Sequence, residues 1–196
     1  MLVREVMTTP VVTVPSGCTV RQAARLLYER NITAAPVLDQ QGRIVGIVSE
    51  MDLLRGVFEP DPRARVRPAA SPASPPPATV EEIMTPDVRT ARETDDVLQL
   101  TNLMVTMRVK SVPVVRDGDL VGIVSRRDLM RMLAHEDERI RDDVLAALEA
   151  VSTGTAMTRV TVRDGVVELY GEDSPAGISD VIARTVPGVV RVIHQR

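Results

Sequence analysis

Gly46-Ile47-Val48-Ser49-Glu50-Met51-Asp52 returns as Gly122-Ile123-Val124-Ser125-Arg126-Arg127-Asp128, 76 residues later. Working outward, Val6-Met7-Thr8 is matched by Ile83-Met84-Thr85 at a spacing of 77, as Thr13 is by Thr90. Ala35-Pro36-Val37 is matched by Val112-Pro113-Val114 at the same spacing. The offset changes only in the turn before the quoted stretch, where Asp39-Gln40-Gln41-Gly42 faces the shorter Asp117-Gly118. A length change confined to a surface turn is what two homologous units show.

Each unit reads as β-α-β-β-α. In the first, a short strand around Val11–Val14 precedes a helix from about Val20 to Arg30, with Thr19 as its N-cap. Strands Ala35–Leu38 and Ile44–Val48 follow, and Ser49 opens a second helix. The second unit repeats the pattern with helix Val97–Met107, strands Val112–Val115 and Leu120–Val124, and a helix from Ser125 to about Ala134. Strands so short and apolar suit small sheets buried against helices. The fold class is therefore α/β (α+β), with two packed repeats over residues 1–58 and 80–135. Residues 59–79 between them hold half of the chain's 14 prolines and read as an extended linker.

Residues 136–196 have another order, α-β-β-α-β. A helix from Asp137 to Val151 puts Ile140, Val144, Ala147, Leu148 and Val151 on one face. Strand Arg159–Arg163 leads through Asp164-Gly165, a type I′ turn signal, into Val166–Tyr170. Ser174-Pro175 opens a second helix, which Pro187-Gly188 ends before a last strand, Val189–His194.

Composition removes several classes of function. The 196 residues carry 24 basic and 27 acidic side chains, a net charge of −3, and 44% are hydrophobic. That is enough apolar material for a core, and the wrong charge for a nucleic-acid partner. Tyr28, Phe58 and Tyr170 are too scattered for a base-stacking platform. One cysteine and two histidines are poor material for a metal centre. No apolar run approaches the roughly 20 residues of a membrane span. Glu5 interrupts what would be a signal peptide, so a cytoplasmic location is expected. No nucleophile–base pair or phosphate-cradling glycine loop stands out, and no catalytic residue is expected.

With their Met-Thr openings, Pro-Val strands and Gly-Ile-Val-Ser-x-x-Asp endings, the two repeats resemble a tandem pair of cystathionine-β-synthase (CBS) domains. Residues 136–196 resemble a BON domain, on Asp164-Gly165-Val166-Val167-Glu168-Leu169-Tyr170-Gly171 and Val186-Pro187-Gly188-Val189. The CBS resemblance implies two clefts that take adenosine-containing regulatory ligands (AMP, ADP, ATP or a related adenosyl compound) and no required cofactor. It makes Ser49 with Asp52, and Ser125 with Asp128, the ribose-reading pairs. It also implies that Val11, Val12 and Thr13, and Val88 and Thr90, line the adenine. Clefts in the family are shared, so Asp52 goes with the second repeat's opening strand and Asp128 with the first's. An ionised carboxylate, with two acceptor oxygens, suits the two donors of a cis-diol.

Ser-x-x-Asp ahead of an apolar helical run is also a near relative of the capping box, and at a single site both readings stand. Arg126, Arg127 and Lys110 are the candidate phosphate ligands. Glu50 and Met51 stand where the other copy has the two arginines, so a phosphorylated nucleotide is expected to prefer the Asp128 cleft. Cys18 lies ahead of a helix, where thiol pKa values can fall, but without a resolving partner. His135 and His194 read as solvated side chains, Met104 and Met107 as packing, and the Glu136–Glu138 and Asp142-Asp143 clusters as a wet helix face. Leu26, Leu103 and Met132 are expected to support a homodimer. The BON resemblance implies an interaction with an unidentified protein partner; BON domains often associate with membranes, which the acidity here disfavours for anionic lipid. The competing class is a structural protein with empty clefts that uses the pair as a dimerisation scaffold.

Overall fold

The computed structural model describes residues 1–55, 77–151, 159–170 and 177–195. In chain order its elements are β1 (Val14–Pro15), α1 (Val20–Glu29), β2 (Ala34–Leu38), β3 (Ile44–Ser49), α2 (Glu50–Leu54), β4 (Ala91–Arg92), α3 (Val97–Thr106), β5 (Ser111–Arg116), β6 (Asp119–Ser125), α4 (Arg126–Leu133), α5 (Asp137–Val151), β7 (Arg159–Arg163), β8 (Val166–Tyr170), α6 (Ile178–Ala183) and β9 (Arg191–Gln195). The strands form three-stranded sheets ordered β1-β2-β3, β4-β5-β6 and β7-β8-β9. No helix among the described residues is long and apolar enough to cross a membrane. The chain divides into two compact units, Thr8–Glu93 with Met107–Ile123, and Met1–Met7 with Thr94–Thr106 and Val124–Arg196. Each unit draws on both sequence repeats.

In the first of these units, α1 starts where the sequence places it. The Thr19 hydroxyl accepts from the Gln22 amide at 3.2 Å while Gln22 Oε1 accepts from the Thr19 amide at 3.1 Å, a reciprocal capping box. Val20, Ala23 and Leu27 then fall on one buried face and pack with Val14, Ala35, Val37, Val48, Leu53 and Val80. Ala34 to Val37 are buried without alternation, as expected of the sheet's middle strand. Between β5 and β6, Asp117 and Gly118 both take positive φ, so two residues suffice where Asp39–Arg43 joins β2 to β3. The turn therefore accounts for the change in repeat spacing.

The opening strands are shorter than the sequence reading and displaced from it. Val11–Thr13 and Val88–Thr90 belong to no strand; pairing begins at Val14 and Ala91. Long-range pairing explains the shift. Thr8 exchanges backbone hydrogen bonds with Ile123 of β6, and six residues later Val14 pairs with Val37 of β2. Thr85 likewise exchanges bonds with Ile47 of β3 before Ala91 pairs with Val114 of β5. Residues 9–13 and 86–90 thus cross from one repeat's strand to the other's, and cannot join either ladder. Gly46 makes room for this crossing, because a Cβ there would collide with the Met84 side chain.

Short 3-10 turns at Val3–Glu5 and Val80–Glu82 open the repeats and were not anticipated. Glu82 accepts from the Thr79 hydroxyl at 2.7 Å and from the Thr79 and Ala78 amides, which hold its carboxyl below the usual range. The segment leading into each turn serves the other repeat's helix. Ala78 O accepts from Val20 N at the start of α1, and, in the second compact unit, Met1 O accepts from Val97 N at the start of α3. Helix-terminal amides that lack intrahelical partners are satisfied this way.

The second unit also contains the α-β-β-α-β stretch. Ile140 and Val144 of α5 pack on Val160, Val167, Leu169, Ala183 and Val192. Asp164 and Gly165 both have positive φ, as the type I′ reading requires, and their amides donate to the Asp137 carboxylate at 2.8 and 2.9 Å. Pairing is antiparallel for β7–β8 and parallel for β8–β9. Helix α6 ends at Ala183 and β9 starts at Arg191, both inside the expected bounds, because buried Val186 and Val189 turn the intervening chain into the core. The Ser174-Pro175 start of the second helix lies outside the described residues, as does most of the Pro-rich linker.

Leu26, Leu103 and Met132 are half-buried rather than exposed. Leu26 packs on the first core, since the apolar stripe of α1 is wider than a three-position face. The exposed apolar side chains of α3 and α4 are Leu98, Val105, Met130 and Leu133.

Candidate functional site

Both Ser-x-x-Asp motifs sit where a strand runs into a helix. The chain stays extended through Ser49 and Ser125 and turns helical at the next residue. In the first copy, Asp52 Oδ2 accepts from the Ser49 amide at 2.9 Å and from its hydroxyl at 2.7 Å. In the second, Asp128 Oδ2 accepts from the Ser125 amide at 2.8 Å and its hydroxyl at 2.6 Å. The aspartate half of the capping box is therefore present in both copies, and in the second the Ser125 hydroxyl also accepts from the Asp128 amide at 3.4 Å. That half engages Oδ2 of each carboxylate, so capping by itself does not preclude ligand binding through Oδ1.

The copies differ at that second oxygen. Asp52 is half-buried, and its Oδ1 has no hydrogen-bond partner among the described residues. Asp128 is 7% exposed, and its Oδ1 accepts from an Arg131 guanidinium nitrogen at 3.2 Å. Arg55 holds the corresponding position in the first copy but lies just past the end of α2, in extended backbone. Arg131 was missed in the sequence. The signal was its spacing, three residues after Asp128, which on a continuing helix puts both on one face.

The remaining candidates are placed as follows. Arg126 and Arg127 are exposed on the first turn of α4, and neither makes an ion pair among the described residues. Lys110 is exposed immediately before β5. Glu50 and Met51 are exposed on α2. Val11, Val12, Thr13 and Val88 are half-buried and Thr90 is exposed. Val88 and Thr90 lie on the crossing segment that leaves β3 at Ile47, the strand that ends at Ser49. This brings the second repeat's opening to the strand carrying the Asp52 motif. Desolvation raises the Cys18 thiol pKa, opposite to what a reactive thiolate needs.

A cleft of about 440 Å³ lies elsewhere, lined by Leu133, His135, Asp137, Asp164, Gly165 and Gly188 among others. Of the carboxylates that line it, Asp137 already accepts from two backbone amides. The cleft is the seam between α5 and the β7–β8 turn.

Known proteins share this arrangement. The profile of the CBS domain matches residues 3–59 and 80–135. L-aspartate semialdehyde sulfurtransferase of Methanocaldococcus jannaschii is 30% identical over 132 residues, which is 67% of this chain but 23% of that protein. The chain thus spans about a quarter of that relative's length. The CBS domain pair of protein MJ0100, solved with 5′-methylthioadenosine and S-adenosyl-L-methionine, is 30% identical, with a TM-score of 0.56 over 67% of this chain and 94% of that one. CBSX2 in complex with AMP is 25% identical, with a TM-score of 0.53 over 66% of this chain and 93% of that one. With its profile matched twice, on the two repeats that the sequence itself displays, the chain belongs to the CBS domain family and carries a tandem CBS pair.

Proposed function

We propose that the chain is a regulatory module whose CBS pair binds an adenosine-containing ligand through Ser49–Asp52 and Ser125–Asp128. The observation that carries this reading is the duplicated Ser-x-x-Asp carboxylate, fixed in both copies through Oδ2 by its own serine, with Oδ1 of Asp52 open among the described residues and Oδ1 of Asp128 held by the exposed Arg131. The complexes of the related pairs with 5′-methylthioadenosine, S-adenosyl-L-methionine and AMP support the ligand class. Val88 and Thr90 face the adenine at the Asp52 site, and Lys110 supplies its cation. Arg126 and Arg127 serve phosphate at the Asp128 site. The sulfurtransferase matches over a minor part of its length, so its reaction is not carried over.

A thermal-shift screen tests the reading. AMP, ADP, ATP and S-adenosyl-L-methionine are each added at millimolar concentration, with GMP as control. A ligand at 100 times its dissociation constant adds about 2.7 kcal/mol of stability, a rise of several degrees. At least one adenosine compound is expected to give such a rise while GMP does not. No shift with any of them, confirmed by calorimetry, leaves the empty-cleft scaffold as the function.

The chain also pairs with a second copy of itself. Leu98 and Val105 on α3, seven residues apart, and Met130 and Leu133 on α4, three apart, each mark an exposed apolar helix face. A standard interface of roughly 800 Å² per partner would cover such faces. Light scattering is expected to give twice the mass of one chain; a single-chain mass across a wide concentration range contradicts it. Residues 136–196 act as a BON-like interaction unit for a protein partner, a reading supported by their element order and the Asp164-Gly165 turn.

A further inference from the structure

We infer that Arg131 makes the Asp128 site selective for phosphorylated adenosine ligands, whereas the Asp52 site accepts the uncharged nucleoside. The inference rests on the ribose-reading role proposed above. Both carboxylates accept from their own serine through Oδ2, and the contacts among the described residues differ at Oδ1 and on the flanking helix. Helix α4 continues to Leu133, so Arg131 lies one turn beyond Asp128 and its guanidinium reaches Oδ1. Helix α2 stops at Leu54, and Arg55 makes no ion pair among the described residues.

A ribose hydroxyl that donates to Asp128 Oδ1 competes with a guanidinium that cannot give up its charge. The Arg131 side chain is 63% exposed, so the contact itself is weak and easily exchanged. What the ligand offers the displaced cation decides the outcome. A phosphate gives it a bidentate, charge-assisted partner, in company with Arg126 and Arg127. Adenosine gives it nothing, and it must compete for Asp128 without compensation. At Asp52 no cation holds Oδ1 among the described residues, Glu50 stands in place of Arg126, and Lys110 is set against three arginines at the other site, so phosphate gains less there. The two sites thus sort adenosine compounds by charge.

Calorimetric titration with AMP and adenosine tests this in the Asp52→Ala chain, which keeps the Asp128 site alone. AMP is expected to bind on the order of tenfold or more tightly than adenosine there. Adding Arg131→Gln is expected to strengthen adenosine binding and narrow the ratio by about threefold or more, the remainder belonging to Arg126 and Arg127, and Arg131→Lys to give an intermediate ratio. In the Asp128→Ala chain, Arg55→Gln is expected to leave both affinities unchanged. Circular dichroism melting establishes that each variant is folded. An AMP-to-adenosine ratio unaffected by Arg131→Gln, with binding retained, overturns the inference and leaves the proposed function intact. Wild-type chain that binds neither compound overturns the inference, and if it also fails to bind ADP, ATP and S-adenosyl-L-methionine it overturns the proposed function as well.

Discussion

Leu27→Ala is expected to lower the unfolding free energy by about 2–5 kcal/mol, measured as a fall in the urea midpoint. Leu27 is 2% exposed and sits where α1 meets Val37 and Val48 of the β2–β3 pair. Truncation removes buried methyl groups and leaves a void that a face made of Val20 and Ala23 is too small to refill. Against a typical total of about 5–15 kcal/mol, this is the largest single-residue effect expected on stability. Its neighbour Tyr28 is 88% exposed, and Tyr28→Ala is expected to stay within about 0.5 kcal/mol of wild type. A Leu27→Ala cost below about 1 kcal/mol, or a Tyr28→Ala cost as large as that of Leu27→Ala, contradicts the assigned face of α1.

Where local chemistry decides structure, the sequence was readable. The Thr19–Gln22 capping box sets the start of α1, and Asp164-Gly165 sets the β7–β8 turn. The period of Ile140 and Val144 sets the buried face of α5. The opening segments were misjudged because their partners are remote. Thr8 pairs with Ile123 and Thr85 with Ile47, and neither pairing leaves a mark in the flanking residues. A β-branched triplet such as Val11-Val12-Thr13 looks like a strand by itself, yet here it spans the gap between two ladders.

The candidate site was legible for a different reason. Duplication of Gly-Ile-Val-Ser-x-x-Asp singled out both carboxylates, and their serines hold them as the spacing implied. The inequality of the two was only half visible. Arg126 and Arg127 could be read against Glu50 and Met51, but Arg55 and Arg131 occupy the same place in the repeat. What separates them is helix length, five residues in α2 against eight in α4. Length is set by how each helix continues into its surroundings, which a local motif does not encode.

The largest effect on binding is expected from removing the diol acceptors. Asp52→Ala with Asp128→Ala takes away both carboxylates, and each lost charged acceptor costs about 1.5–3 kcal/mol, a factor of ten or more. The doubly substituted chain is expected to lose saturable AMP binding at concentrations that fill the wild type. The most direct test of the central claim, that these carboxylates read a ribose diol, is calorimetric titration of the wild-type chain with AMP and its 2′-deoxy and 3′-deoxy analogues. Each analogue lacks one hydroxyl and is expected to bind about tenfold or more weakly. Equal affinity for AMP and both analogues would contradict the account.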